Sequence, residues 1–179
     1  MIEIRPLTED NMEEAVNIKL ACWTEELAGK AENTLSGDKQ LAFWTEWMHT
    51  AEDHQDIRLL LGAFENEHLL GVAFASFAEA EDIPKNGIEL NGLWVDAENR
   101  NRGISLRLLD SIFDFYRPHN IEKMVIYTPH YAPSNSYYQK FGAIVVKQEL
   151  QMNGKLPVDV MIAQVDEMQM KVKKSLAKY

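Results

Sequence analysis

The stretch from Glu89 to Phe115 restricts the fold more than any other part of the chain. Glu89-Leu90-Asn91-Gly92-Leu93-Trp94-Val95 reads as a buried strand, while Leu106, Leu109, Ile112, Phe113 and Tyr116 recur at helical spacing. Between them runs a turn rich in Arg, Asn and Gly, from Asp96 to Ser105. A strand that feeds a helix through such a turn makes an anion site. The first helical N–H groups have no partner within the helix, and the helix dipole favours negative charge there. Gly103 lets a bulky phosphate approach the backbone, and Arg100 and Arg102 add charge. Arg100, Asn101, Arg102, Gly103, Ile104 and Ser105 together read as a pyrophosphate cradle.

Arg100-x-x-Gly103-x-Ser105, behind Leu93-Trp94-Val95, resembles the acetyl-CoA signature of the GCN5-related N-acetyltransferase (GNAT) superfamily. That signature is Arg or Gln, two residues, Gly, one residue, then Gly or Ala, so Ser105 departs at the last position. By element order the resemblance covers residues 1 to 165, and it is specific between Glu89 and Gly142. It implies an α/β (α+β) fold: a mixed central β-sheet with helices on both faces, whose fourth and fifth strands splay so that the cofactor enters as if it were another strand. It also implies acetyl-CoA as co-substrate and transfer of the acetyl group to a primary amine of a small molecule or peptide. In the family, backbone groups matching Leu93, Trp94 and Val95 bond the pantetheine arm and the acetyl oxygen, and a β-bulge aims an N–H at the carbonyl. Gly92 is compatible with such a bulge.

Acetyl transfer to an amine needs a base, and the departing thiolate needs a proton. Glu89 is the only acid in the apolar part of its strand, and its spacing from Val95 matches a glutamate used as general base in several family members. Partial burial would raise its pKa toward the working range. Asn91, two residues on, shares its face and could orient the amine or a water. Tyr137-Tyr138-Gln139-Lys140-Phe141-Gly142 resembles a family pattern whose Tyr protonates the thiolate, which makes Tyr138 the candidate acid. The family often has an Asn seven residues before that Tyr. Here Tyr131 stands there, so Asn135 or Ser134 is the candidate for the cofactor-arm contact. The segment between the first two strands walls the acceptor pocket in the family, which makes Trp23, Trp44 and Trp47 candidates. The same aromatic residues at helical spacing also read as core.

The rest of the chain supplies ordinary elements. Ile2 and Ile4 mark a first strand, followed by a helix from Thr8 to a break at Gly29 and a second helix beginning near Ser36 or Asp38. Two apolar runs, from Ile57 to Phe64 and from Leu69 to Phe77, flank a polar turn. An acidic loop from Ala78 to Asn86, with Glu79, Glu81, Asp82 and Pro84, leads into the central stretch. Met124 to Thr128 is a strand, Ser134 to Phe141 a short helix closed at Gly142, and Asn153-Gly154 is a two-residue turn signal between two closing strands. Asp166 to Tyr179 reads as a helical extension of one domain spanning residues 1 to 165. Its Met168, Val172 and Leu176 share one face, and it carries Lys171, Lys173, Lys174 and Lys178.

Composition narrows the function. The net charge of −10 argues against nucleic acid, whose phosphates need a basic surface, and mildly favours a cationic acceptor. No apolar run is long enough to span a bilayer, and Met1 to Pro6 lacks a basic start and an apolar signal core. The single Cys22 excludes an intrachain disulfide and suits a reducing cytoplasm. His49 and His54, five apart and without an acidic third ligand, do not make a metal site. A dinucleotide fold lacks its G-x-G-x-x-G turn and a P-loop its Gly-Lys-Ser/Thr ending. Two classes remain: an N-acetyltransferase, and a non-catalytic module that senses acyl-CoA or a metabolite on the same fold. Dimers are common in the family, so a homodimer is a further expectation.

Overall fold

The structure is a computed structural model that describes residues 1–79 and 87–179. The acidic loop around Glu81, Asp82 and Pro84 lies outside the described residues. Seven strands form one sheet: β1 (Glu3–Pro6), β2 (Leu59–Glu65), β3 (His68–Phe77), β4 (Gly87–Val95), β5 (Lys123–Pro129), β6 (Ile144–Gln151) and β7 (Leu156–Gln164). Their order across the sheet is β1-β2-β3-β4-β5-β7-β6. Every pairing is antiparallel except β4 with β5. A parallel pair needs a long crossover, and α3 (Ile104–Tyr116) supplies it. The polar turn read between β2 and β3 is present, with Asn66 and Glu67 in the left-handed region (φ 50° and 66°). The closing hairpin departs from expectation. Its connection is four residues, 152–155, with Met152, Asn153 and Gly154 all left-handed, rather than a two-residue turn.

Helices cover both faces. α1 (Glu9–Glu26) and α2 (Gly37–His49) bury Met12, Val16 and Trp44 against Leu60, Val72 and Phe74. On the other face α3 inserts Leu108, Leu109, Ile112 and Phe113, and α4 (Asn135–Lys140) adds Tyr138. The α4 helix closes as expected. Gly142 sits at φ 103° and the Ala143 N–H donates to the Tyr138 carbonyl at 3.1 Å. α5 (Val165–Leu176) places Met168 and Val172 in the same core as α3, so the C-terminal extension is packed on the domain.

Two features of β4 open the sheet. First, its parallel pairing with β5 runs from Gly87↔Lys123 to Leu90↔Ile126 and stops. Second, the register with β3 slips at that point, because Ala75 faces Leu90 while Phe74 faces Gly92. Asn91 is therefore an extra residue, a β-bulge. The bulge reverses the alternation. Ile88 and Leu90 join the α3-side core before it, and Leu93 and Val95 join it afterwards, while Trp94 turns to the α1–α2 side. Gly92 and Trp94 then share a face so closely that a Cβ at residue 92 would lie 2.0 Å from the Trp94 ring. The bulge falls earlier than the Leu93–Val95 segment where the family resemblance puts it.

α3 is pinned from below. The Tyr116 hydroxyl donates to the carbonyls of Ile57 (2.6 Å) and Ala75 (3.0 Å) and is fully buried. Ala75 is the bulge's partner residue on β3, so this bond ties the end of α3 to the irregularity that opens the sheet. Tyr116→Phe leaves the Ile57 carbonyl without this donor, at a cost of about 1–3 kcal/mol. Urea unfolding should show a lower midpoint with an unchanged slope.

Candidate active site

Beyond Leu90 and Ile126 the two strands diverge, and a continuous groove runs through the gap. Its first part, about 230 Å³, lies at the start of α3 between Gly103, Ser105 and Tyr137. A second part, about 300 Å³, shares Val95, Arg100 and Ser105 with the first and extends past Leu93 and Trp94 to Ser134 and Tyr138. A third, of about 80 Å³, occupies the strand gap itself between Asn91, Gly92, Thr128 and Tyr138. Tyr127 lines this gap and also a separate depression holding Glu79, Glu89, Glu149 and Gln151.

The turn into α3 falls where the sequence places it. Gly103 is the residue before α3, in the left-handed region at φ 75°, and Asn101 is also left-handed at φ 61°. The two arginines differ: Arg100 lines the groove and Arg102 does not, and both are engaged by carboxylates. Arg100 donates to Glu25 Oε2 at 2.6 Å, to the Val95 carbonyl at 3.2 Å and to Cys22 Sγ at 3.6 Å. Arg102 grips both oxygens of Glu65 (2.9 and 2.7 Å) and Asn99 Oδ1 (2.7 Å), and it does not line the groove. Both guanidinium groups are held by carboxylates, and their charge is largely compensated within the protein. Ser105 accepts a bond from the Tyr137 hydroxyl at 3.0 Å, which turns its side chain toward α4.

Leu93, Trp94 and Val95 line the middle of the groove, and Ile104 lines the cradle. Asn135 is not in the lining. Its Oδ1 accepts from Thr128 at 2.6 Å and its Nδ2 donates to the carbonyls of Pro129 (3.0 Å) and His130 (3.1 Å), so its amide is spent fastening α4 to β5. Its neighbour Ser134 faces the groove instead. Among the tryptophans, Trp23 lines the strand gap, while Trp44 is 6% exposed in the core between Phe74 and Trp94. Trp44 supports the groove from behind and does not reach it.

The two candidate proton carriers sit on opposite sides of the gap. Tyr138 lines the groove, and its hydroxyl makes no hydrogen bond among the described residues. Burial above all, with the charges of Tyr137 and Glu26 behind it, pushes its pKa far up, so it stays protonated at neutral pH. Glu89 is half-buried on the α1–α2 side. Burial, then the nearby Glu79 charge, raises its pKa, while the Asn91 side chain pulls it down. Asn91 Oδ1 is buried and has no hydrogen-bond partner among the described residues. Asn91 also lines the strand gap.

Sequence reading missed Glu26. It ends α1, lines both the middle of the groove and the strand gap, and accepts a bond from Ser134 Oγ at 3.0 Å. Burial raises its pKa and the Ser134 bond opposes the shift. Only its position at the end of an amphipathic helix hints at this, and many solvated glutamates share that position. Among the described residues no group of three His, Cys, Asp or Glu could hold a metal ion, and no helix is long and apolar enough to cross a membrane.

The strand gap, the bulge and the glycine turn before α3 belong to a fold of the GNAT type, and comparison agrees. The model of the acetyltransferase (GNAT) family matches residues 12–143, and the chain belongs to that family. Among solved structures, YncA from Salmonella typhimurium with its cofactor acetyl-CoA superposes with a TM-score of 0.67 at 22% identity, over 93% of this chain and 95% of that one. The PaiA N-acetyltransferase of Thermoplasma acidophilum in complex with coenzyme A gives 0.63 at 22%, over 92% and 99%. The ribosomal-protein-alanine N-acetyltransferase of Brucella melitensis gives 0.66 at 18%, over 90% and 99%. No curated protein matches the sequence.

The raised Glu89 pKa has a consequence for stability. Where the folded pKa lies above the unfolded one, the folded state holds more protons, so this group's contribution to stability is lost as pH rises through the folded pKa. Glu89→Gln removes that penalty. Thermal melts should show the variant gaining on the wild type as pH climbs above the ordinary glutamate range, with no gain below it.

Proposed function

We propose that this chain is an acetyl-CoA-dependent N-acetyltransferase that acts directly on a primary amine of a small molecule or peptide. The observation that carries the reading is the end of β4–β5 pairing at Leu90↔Ile126, with Tyr138 on one side of the opening and Asn91 and Glu89 leading away on the other. The fit to acetyl-CoA rests on the groove. The free amides before and within the first turn of α3 suit a diphosphate, and the backbone edge of Leu93–Val95 suits the amide-bearing pantetheine arm.

The thioester, when bound, supplies an activated acetyl carbonyl. The remaining work falls to the chain. The diverging edge of β4 orients the acyl arm and offers a backbone N–H to the carbonyl oxygen. Glu89 accepts the amine's proton, directly or through a water, and its raised pKa narrows the gap to the ammonium it must deprotonate. Tyr138 gives its proton to the sulfur that leaves. The depression with Glu79, Glu89 and Glu149 attracts a cationic acceptor.

Purified protein mixed with acetyl-CoA and a panel of amines should release free thiol. Tyr138→Phe should lower kcat by roughly 10²-fold, the scale of a lost general acid, with little change in cofactor affinity. Full turnover of that variant at neutral pH would remove Tyr138 from the proton-donor role. Tight acetyl-CoA binding without transfer to any amine would favour the sensing module instead.

A further inference from the structure

The cradle has a cation problem. A CoA diphosphate needs positive charge or donors nearby, yet Arg100 and Arg102 are both committed to carboxylates. The first part of the groove is lined by three cations: Arg100, Lys140 and Lys178. Among the described residues, neither lysine has a carboxylate partner, whereas Lys171 and Lys173 on the same C-terminal segment do. Lys178 is not on a loose end. Its N–H donates to the Ser175 carbonyl at 3.2 Å, and the Tyr179 N–H donates to that of Leu176 at 3.0 Å, so a further helical turn extends α5. That turn brings the Tyr179 ring against Gly103: a Cβ built on the glycine would lie 3.1 Å from Tyr179 Cδ2 and Cγ. Ser175, Lys178 and Tyr179 thus form the wall facing the α3 amides.

We propose that Lys178, carried over the cradle by the last turn of the chain, is a cationic ligand of the cofactor's phosphates, with Lys140 of α4 opposite it. The C-terminal segment then belongs to the binding site as well as to the core. This rests on the cradle being a CoA site. The amides of the turn orient the diphosphate, Arg100 and Arg102 shape the turn through Glu25 and Glu65, and Lys178 supplies charge that the turn lacks. The Tyr179 ring covers the Gly103 backbone and has to shift outward for a phosphate to lie against it.

CoA binding is measured by calorimetry at several salt concentrations for the wild type and for Lys178→Ala, Lys178→Arg and Lys174→Ala. Lys174 is exposed on the same helix and does not line the groove. Lys178→Ala should weaken binding about tenfold, the scale of one charge-assisted phosphate contact, with a shallower salt dependence. Lys178→Arg should restore most of the affinity, and Lys174→Ala should match the wild type. Wild-type binding with Lys178→Ala within twofold of it and an unchanged salt dependence would overturn the proposal while leaving the acetyltransferase reading intact. Absence of CoA binding by the wild type would overturn both.

Discussion

One inserted residue on β4 governs the site. Asn91 has no partner on β3, and beside it the hydrogen-bonded ladder to β5 comes to an end. A strand that kept its alternation past Leu90 would hold Trp94 on the α3 side and could continue along β5. The bulge instead twists the strand and turns Trp94 toward the α1–α2 side, where it meets Trp44 at 6.4 Å and Phe74 at 5.6 Å. The unpaired edges of β4 and β5 would normally be a liability. In this fold they are the surface that an extended, amide-bearing ligand can use. Gly92 is required because two neighbouring residues point the same way, and the second of them is a tryptophan.

The end of α1 completes the groove from above. The Cys22 thiol donates to the Val95 carbonyl at 3.5 Å, Glu25 holds Arg100, and Glu26 receives Ser134. Three contacts from one turn of helix therefore join α1 to β4, to the cradle turn and to α4. None is worth much alone, since the Arg100–Glu25 pair is partly exposed. Together they fix the width of the groove. Cys22 is accordingly a packing and positioning residue, 7% exposed, whose thiol pKa is raised chiefly by burial.

Much of this is legible in the sequence, and the parts that are not share a cause. Hydrophobic period locates α3, β2 and β3 because those elements answer to local sequence. Gly142 and Gly103 stand out because left-handed backbone has few tenants. The roles of Arg100 and Arg102 are hidden because their partners, Glu25 and Glu65, lie 75 and 37 residues away, and no local pattern reveals that a charge is already matched. Trp23 and Trp44 look alike in a helical register. Only the packing of α2 against Phe74 buries one, while the other is left at the strand gap. Asn135 stands at a plausible distance from Tyr138 for a cofactor ligand, but the end of β5 needs its amide more. The Thr128 hydroxyl and the His130 carbonyl there take their bonds from it, and the Pro129 carbonyl, which already accepts the Ala132 N–H, takes a second.

The electrostatics of the gap raise the pKa values of Glu89 and Tyr138 together. Burial acts first on both, and to it Tyr137 and Glu26 add at Tyr138 and Glu79 adds at Glu89. For a base, an upward shift makes proton capture from an ammonium less uphill. For the acid, taken alone, it works the wrong way, since a weaker acid gives up its proton less readily. In the proposed reaction, however, the competitor would be a thiolate leaving into a cleft that already holds the Glu26 carboxylate. A second negative charge there is disfavoured for the same reason that tyrosinate is. In the proposed reaction, the environment that makes Tyr138 hard to ionise would also raise the pKa of the departing thiol, so the two shifts oppose each other.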